Sequence, residues 1–444
     1  MKRRIRFLDV RPLRESRPFR DLWIGTSASQ LGAQITTVAV LAQVWELTGS
    51  PVGTGAIGLA VGLPMVVFGL VGGVLADAVD RRAIVRATTV GQLLVAVGLC
   101  AQAAADNRNV LLLFVLVALG STCSALGAPA RRTFPVRLLP ADQVASGLAL
   151  ANVSFQAAML VGPALAGVTI ARWGFSAAYA AQAVAVALAM IAVLRMPAMP
   201  PESTAATGAT GTSAAARGTA RRRPERGGWR VLFNRPTLWG SLATDLAATL
   251  LAMPIALFPL VNEVRFGGDP QTLGLFLTAV AVGGITAGLF SGTVTRWRRA
   301  GLVQLTAAAG WGLALAGFGL AEPLWLTLGC LAVAGAADTV SVITRGALVQ
   351  LETPDAYRGR VSSAEHVIGV AGPELGNFRG GLLASVTSAP FALVTGGLSA
   401  VVAVAVVAAV NKPLRAYRIP PDGASTAATS TAAPDPTAPA ATSS

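Results

Sequence analysis

This 444-residue chain contains few of the residues on which most soluble enzymes depend. Charged residues make up only 13% of it, against 53% hydrophobic residues, and the mean hydropathy is +0.62. Aromatic residues make up 6%, and there is one histidine. A soluble protein of this composition would expose too much apolar surface, so we expect a multi-pass membrane protein.

The scarce reactive residues also exclude several kinds of site. Cys100, Cys123 and Cys330 lie inside apolar stretches, without the paired spacing of a metal site or a disulfide framework. Neither Lys2 nor Lys412 lies in a Gly-x4-Gly-Lys-Ser/Thr loop, which excludes ATP hydrolysis by a P-loop. A lone histidine and the lack of a Gly-x-Ser-x-Gly motif argue against an enzyme that acts on lipid. We therefore predict no enzymatic activity, no metal and no cofactor.

Long apolar stretches dominate the rest of the chain. A helix needs about 20 apolar residues to cross the hydrocarbon layer, and this criterion predicts twelve spans. They cover residues 22–47, 53–76, 84–105, 110–130, 144–170, 174–195, 237–262, 271–294, 301–319, 323–349, 361–386 and 388–410.

Basic residues follow a topological rule. Nearly all of the 35 Lys and Arg residues lie in or beside every second gap between the spans, or in the two tails. Arg108, Arg172 and Arg265 lie in the other gaps. This positive-inside pattern predicts a protein of the plasma (inner) membrane with both termini in the cytoplasm. It also accounts for the net charge of +14 without nucleic acid. Residues 1–20 have no apolar core of a signal peptide, so we expect none to be cleaved.

The order of the spans suggests a duplicated unit. LLPADQVASG and then GPALAG at 162–167 are echoed by LETPDAYRGR and GPELGN at 372–377. We therefore predict an all-α fold of twelve transmembrane helices in two six-helix bundles. The predicted parts are a basic cytoplasmic segment (1–21), an N-terminal bundle (22–196), a flexible cytoplasmic linker (197–235), a C-terminal bundle (236–411) and a disordered cytoplasmic tail (412–444).

One motif resembles a family signature. The segment GGVLADAVDRRAIV, between the second and third spans, resembles the Gly-x-Leu-Ala-Asp and arginine motif of the major facilitator superfamily. The resemblance implies that Gly73 allows close helix packing and that Asp77, Arg81 and Arg82 form a cytoplasmic gate latch. Topology control by the two arginines alone is the alternative.

The fifth span carries a second motif. GPALAG resembles the glycine and proline motif of the superfamily's antiporters, which implies export. Gly162, Pro163 and Gly167 would permit a bend and tight packing against a partner helix. Kinked packing without any meaning for export is equally compatible with these residues.

Most of the chain resembles one bacterial branch of this superfamily, which holds the enterobactin exporter and macrolide-type efflux proteins. RPFRDLWIG, LTGSPVGTGAIGLA and GAPARRTFPVRLLP carry the resemblance in the first half. In the second half GAADTVSVITRGALVQLETPDAYRGRV carries it. The branch often has an acidic residue in span one where this chain has Ala33. A coupling carboxylate on that helix is therefore missing.

Ionisable residues inside spans mark transport pathways or ion pairs. By analogy with the family, spans one, four, seven and ten line a central cavity. Asp245 and Asp338 are therefore the leading candidates for proton coupling, and Glu374 is a third. The alternative is structural ion pairing of Glu374 with Arg379, or of Asp338 with a basic neighbour.

Polar stripes suggest where a cargo could bind. Gln30, Gln34 and Thr37 follow each other at helical spacing in span one. Ser241 and Thr249 flank Asp245 on one face of span seven and would form a cavity wall. The stripe in span one could equally form hydrogen bonds to another helix. The arginine pair that ends span four could attract an anionic cargo, contact the gate, or control topology alone.

Together these features predict a monomeric secondary transporter embedded in the lipid bilayer. We expect it to export a small amphiphilic molecule, siderophore-like or antibiotic-like, by proton antiport with alternating access. Uptake of a nutrient or an organic ion is the alternative. An integral-membrane lipid enzyme and a non-transporting sensor are more remote ones.

Overall fold

The computed structural model describes residues 9–196, 234–290, 299–353 and 357–418, and nearly all of them are helical. The helices are α1 (Arg11–Glu15), α2 (Arg17–Thr48), α3 (Pro51–Ala78), α4 (Arg81–Ala104), α5 (Val110–Arg132), α6 (Phe134–Leu138), α7 (Val144–Leu194), α8 (Pro236–Ala252), α9 (Phe258–Phe266), α10 (Pro270–Leu289), α11 (Ala300–Leu320), α12 (Leu324–Glu352), α13 (Arg358–Val386), α14 (Ala389–Val410) and α15 (Lys412–Ala416).

Short polar signals fix where several of these helices begin. Ser50 precedes α3, Asn109 precedes α5 and Asp269 precedes α10, and each side chain accepts a hydrogen bond from the first turn of its helix. α3 and α10 also begin with proline, which lacks the N–H that a helix start leaves unpaired. These caps set the bounds of stretches that are apolar enough for lipid.

A helix covers most of each predicted span, with two differences. Spans five and six are one element, α7, whose backbone departs from helical geometry at Gly174 (φ 77°). Span seven is broken after Ala252 by a 3-10 turn at Ile255–Leu257. In the described part of the chain, nine helical stretches meet the length and apolarity of a membrane span, and α2 and α13 are not among them. The count of twelve stays a prediction.

The ends of the predicted bundles also differ from expectation. Residues 412–416 form α15, and Leu414 on it is fully buried. Asn411 donates a hydrogen bond to the carbonyl of Pro236, which holds this segment against the start of α8. The prediction of disorder from residue 412 onward is therefore wrong for residues 412–418.

The helices pack as two groups. In the first half α2 lies along α7, and α5 contacts α3 and α4. In the second half α8 contacts α11, α12, α13 and α14, so it is the central helix of that group. Phe258, Phe276 and Phe318 pack edge to face in its core, with ring centroids 5.5 to 5.8 Å apart.

In the described part of the chain two main seams join the halves, and small residues form both. At the first, α7 meets α10: Pro163 and Gly167 lie against Gly274 and Pro270, and a Cβ at Gly167 would be 2.6 Å from the Pro270 carbonyl oxygen. At the second, α3 meets α13, where Gly381 contacts Pro51. Both seams lie toward the end of the molecule at which α2 ends and α3 begins, called here the α2–α3 end.

Candidate functional site

A buried ionic cluster joins three helices of the second half. Arg345 of α12 forms an ion pair with Asp245 of α8, and its Nε lies 3.4 Å from Glu365 Oε1 of α13. The side chains of Arg345 and Asp245 are each 8% exposed, and that of Glu365 is 25% exposed. Removing charges from water is costly, and a buried pair recovers that cost only with good geometry. Charges inside membrane helices are rare and belong to transport pathways or to ion pairs, which makes this cluster the candidate functional site.

Asp338 is the fourth member of this cluster. It lies two helical turns before Arg345 on α12, is half-buried, and interacts electrostatically with both Asp245 and Arg345. Within the described residues it has no ion pair of its own. With every group ionised, the three carboxylates outnumber the single guanidinium. The cluster could therefore take up a proton while keeping its ion pair.

Glu374 does not pair with Arg379, which was the alternative to its role in proton coupling. Arg379 Nη1 instead donates a 2.6 Å hydrogen bond to the carbonyl of Leu251. That carbonyl belongs to the last turn of α8, where the break after Ala252 leaves it without an intrahelical partner. Residues five apart on a helix also point about 140° away from each other, which separates the two side chains.

Glu374 lies at the seam between α3 and α13. A Cβ at Gly58 would lie 3.0 Å from Glu374 Oε2, and Gly62 contacts the stem of the same side chain. Asn377 donates a 3.5 Å hydrogen bond to Oε2. Among the described residues no Lys or Arg pairs with this carboxyl. The contacts with Gly58 and Gly62 place the Glu374 carboxyl where the two halves meet.

Ser241 does not line the predicted cavity wall, and a place for Thr249 in that wall stays a prediction. Ser241 is fully buried and donates to Gln304 Oε1 of α11 at 2.8 Å. Thr249 donates to the carbonyl of Asp245 and packs against Gly372 of α13. Both side chains thus make helix contacts, and Thr249 remains half-buried.

The polar stripe on α2 divides between two environments. Gln34 Nε2 contacts Met159 Sδ at 3.1 Å, which is a helix contact, and Thr37 is exposed and donates to its own helix at Ala33. Gln30 lines a cavity of about 640 Å³ inside the first half, called here the N-half cavity. Its wall also includes Arg131 and Arg132 at the end of α5.

Part of the predicted gate can be located. The surroundings of Gly73 and the side chain of Asp77 lie outside the described part of the chain, as does the segment 291–298. Arg82 Nη2 donates a 2.8 Å hydrogen bond to the carbonyl of Leu194 at the end of α7, within its own half. Arg81 also has a partner. Gly162 packs against Gln34 of α2, so the glycine and proline motif contacts both α2 and α10.

Sequence reasoning missed Arg345 as the partner of Asp245, and Glu365 as a member of the cluster. The available signal was that all of these charges lie in spans, where unpaired charges are rare. The sequence suggested a basic neighbour as the partner of Asp338, but the guanidinium of Arg345 pairs with Asp245 and Glu365 on other helices. Only the tertiary arrangement determines that choice.

Comparisons with known proteins agree with this architecture. A family model described as "transmembrane secretion effector" matches residues 9–432. The chain is 27% identical over 433 residues to the enterobactin exporter EntS of Citrobacter koseri, covering 96% of this chain and all of that one. It is 24% identical to the enterobactin exporter EntS of Shigella flexneri, covering 88% of this chain and 90% of that one.

Solved transporters have the same fold. A D-xylose–proton symporter has a TM-score of 0.67 at 14% identity, covering 88% of this chain and 96% of the other. A POT family transporter in complex with 5-aminolevulinic acid has a TM-score of 0.69 at 11% identity, covering 90% of this chain and 97% of the other. At these identities the likeness establishes the fold alone.

Proposed function

Since this chain belongs to the transmembrane secretion effector family of the major facilitator superfamily, and is a secondary transporter of the inner membrane, we propose that it exports its cargo in exchange for protons. The proposed cargo is a small amphiphilic compound, siderophore-like or antibiotic-like. The description of the family and the relatives named as exporters support the direction. A single polypeptide without a partner subunit is the proposed transporting unit.

The ionic cluster is the observation that carries the proposal. Asp245, Arg345 and Glu365 connect α8, α12 and α13, so a change of charge there alters the contacts of three helices at once. A proton that binds Asp338 or Asp245 would reduce the excess negative charge and change which helix Arg345 holds. Each elementary charge that crosses 100 mV contributes roughly 2.3 kcal/mol, which is enough to bias a two-state equilibrium.

The closed seams fit a cargo-loading state. The described contacts between the halves lie toward the α2–α3 end, opposite the chain termini. With both termini in the cytoplasm, as the basic residues predict, that end faces the outside and the predicted central cavity opens inward. An exporter would load cargo in this state. Glu374 lies in one of the closed seams, where protonation would remove a charge from the interface between the halves.

The gate would work in the opposite state. Asp77, Arg81 and Arg82 would hold the cytoplasmic ends together after the halves rock, while the linker at 197–235 keeps the bundles connected. In the present state Arg82 donates a hydrogen bond to the carbonyl of Leu194, so closing the latch would require Arg82 to give up that hydrogen bond.

Cells and vesicles can test the proposal together. A strain that lacks the gene should retain a compound that the wild-type strain secretes, and expression of the wild-type chain should restore secretion. The purified protein in liposomes should then move protons only when that compound is present. Higher accumulation of the compound in expressing cells would instead favour uptake, and export without proton movement would contradict antiport.

A further inference from the structure

The N-half cavity has the size and lining of a ligand site. Its volume of about 640 Å³ falls within the roughly 300–1,000 Å³ that small-molecule sites occupy. Phe19, Trp23 and Leu148 give it an apolar wall. Trp23 Nε1 donates a hydrogen bond to the carbonyl of Leu150, which fixes the ring in place. A preformed apolar wall of this kind suits the hydrophobic body of an amphiphile.

One guanidinium is held at this cavity by a chain of hydrogen bonds. Arg131 Nη1 donates to Gln92 Oε1 at 3.3 Å, and Gln92 Nε2 donates to Ser124 Oγ at 2.9 Å. Gly127 leaves room for the group, because a Cβ there would be 2.5 Å from Arg131 Nη2. Arg131 is therefore positioned over its own helix against α4, and does not extend along the surface.

The charge of Arg131 is not balanced within the described part of the chain. No carboxylate described there lies within ion-pair distance of it, whereas Arg345 has two carboxylate partners. A guanidinium has five N–H donors, and Gln92 uses one of them. Gln30 also lines this cavity, and its Oε1 is buried and has no hydrogen-bond partner among the described residues. An unsatisfied buried acceptor is costly, and so is a partly buried charge without a counter-ion, so the two groups favour a ligand.

We propose that the N-half cavity binds the anionic group of an amphiphilic organic acid, with Arg131 as its cationic partner. The planar guanidinium matches a carboxylate or sulfonate through two parallel hydrogen bonds. Gln30 receives a hydroxyl or amide N–H of the same molecule, and the apolar wall takes its hydrophobic body. The inference rests on the proposed function, since the acid is the exported cargo.

A comparison of Arg131 with Arg132 distinguishes ligand binding from topology control. Both arginines lie in the last turn of α5, where a cation is favoured by the helix dipole and by the cytoplasmic location. Arg132 is exposed, however, while Arg131 is half-buried and bonded to Gln92. If topology were the role of both, their replacements would have equal effects.

Matched probes test the site without knowledge of the natural cargo. Naphthalene-1-acetate and its neutral amide share one ring system and differ in charge. Binding would be measured by equilibrium dialysis against the full-length protein in lipid nanodiscs, with empty nanodiscs to subtract partition into lipid. The wild type should bind the acid at least about tenfold more tightly than the amide, the ratio expected when a charged hydrogen bond is lost.

Variants then assign the preference to one residue. Arg131→Gln should bind acid and amide equally, Arg131→Lys should keep part of the preference, and Arg132→Gln should resemble the wild type. If Arg131→Gln does not fold, Gln92→Leu takes its place, because it removes the acceptor that positions Arg131. Absence of saturable acid binding to the wild type, equal binding of the amide, or an equal loss in Arg132→Gln would each overturn the proposal.

The same experiment separates this site from proton coupling. Binding needs no proton gradient, so Asp338→Asn should keep the preference for the acid. A protein that binds the acid selectively but moves no protons would contradict the proposed antiport and leave the site standing. Proton-coupled export with no preference for acids would contradict the proposed site and leave the proposed antiport standing.

Discussion

The two halves of the molecule bury polar groups of different kinds. The first half has a neutral network in which Gln43 Oε1 accepts hydrogen bonds from Tyr179 at 2.7 Å and from Gln102 at 3.0 Å. The second half has the cluster of Asp245, Arg345 and Glu365. Neutral networks give a core a unique arrangement without responding to protons. The difference supports the proposed division of labour, in which the proton-sensitive cluster lies in the second half.

The largest effect is expected from breaking the ion pair. Asp245→Asn leaves Arg345 buried beside fewer negative charges, and the loss of one partner from a buried pair costs about 3–5 kcal/mol. We expect a correspondingly lower free energy of unfolding and no proton coupling. Asp142→Asn is the matched control, because its carboxyl is 68% exposed and lies 3.9 Å from Arg11. Equal losses of stability in the two variants would contradict a special role for the cluster.

The seam between the halves can be opened sterically. Gly274 packs directly against the Pro163 carbonyl across the halves, whereas a side chain at Gly288 on the same helix would meet nothing within 4 Å. Gly274→Leu should therefore disfavour the present state by about 1–3 kcal/mol, and Gly288→Leu should not. Distances between spin labels on α7 and α10 measure the shift. An unchanged distance distribution in Gly274→Leu would show that this seam does not open.

The neutral network should affect stability without affecting coupling. Gln43→Leu leaves Gln102 and Tyr179 without a partner, which costs about 1–3 kcal/mol for buried polar groups. Proton movement per transported molecule should remain that of the wild type. A changed proton stoichiometry would remove the distinction between the halves.

The smallest effect is expected at the end of α7. Arg82 and Arg86 both donate to the Leu194 carbonyl, at 2.8 and 3.3 Å, so each can offset the loss of the other. Arg82→Gln should lower the free energy of unfolding by no more than about 1 kcal/mol, since such contacts are exposed. A slower transport rate with unchanged stability would support the latch, and a large loss of stability would assign Arg82 a structural role.

Local sequence patterns predicted most of the fold, because apolar length and helix caps are properties of neighbouring residues. The break in span seven was missed, although Pro254 and Pro259 flank it and lack the N–H that a continuous helix needs. Asp245 could be chosen as a candidate because charge inside a span is rare. Its partner Arg345 could not be chosen, because no short stretch of sequence shows that α8 packs against α12 and α13.

The N-half cavity gives a second example of this limit. Gln30, Gln34 and Thr37 have the spacing of one helix face, yet only Gln30 lines the cavity. The neighbours of α2 decide which of the three meets a ligand. Arg131 and Arg132 are adjacent in sequence, and their different environments become apparent only once α4 is placed beside α5.

The most direct measurement of the division between the halves is proton flux in liposomes that contain Asp338→Asn. This carboxyl has no ion pair among the described residues, so its replacement should leave folding and cargo binding unchanged. With the compound identified by secretion as substrate, we expect that cargo still binds while substrate-dependent proton flux disappears. Proton flux equal to that of the wild type would remove Asp338 from the coupling mechanism and contradict the account.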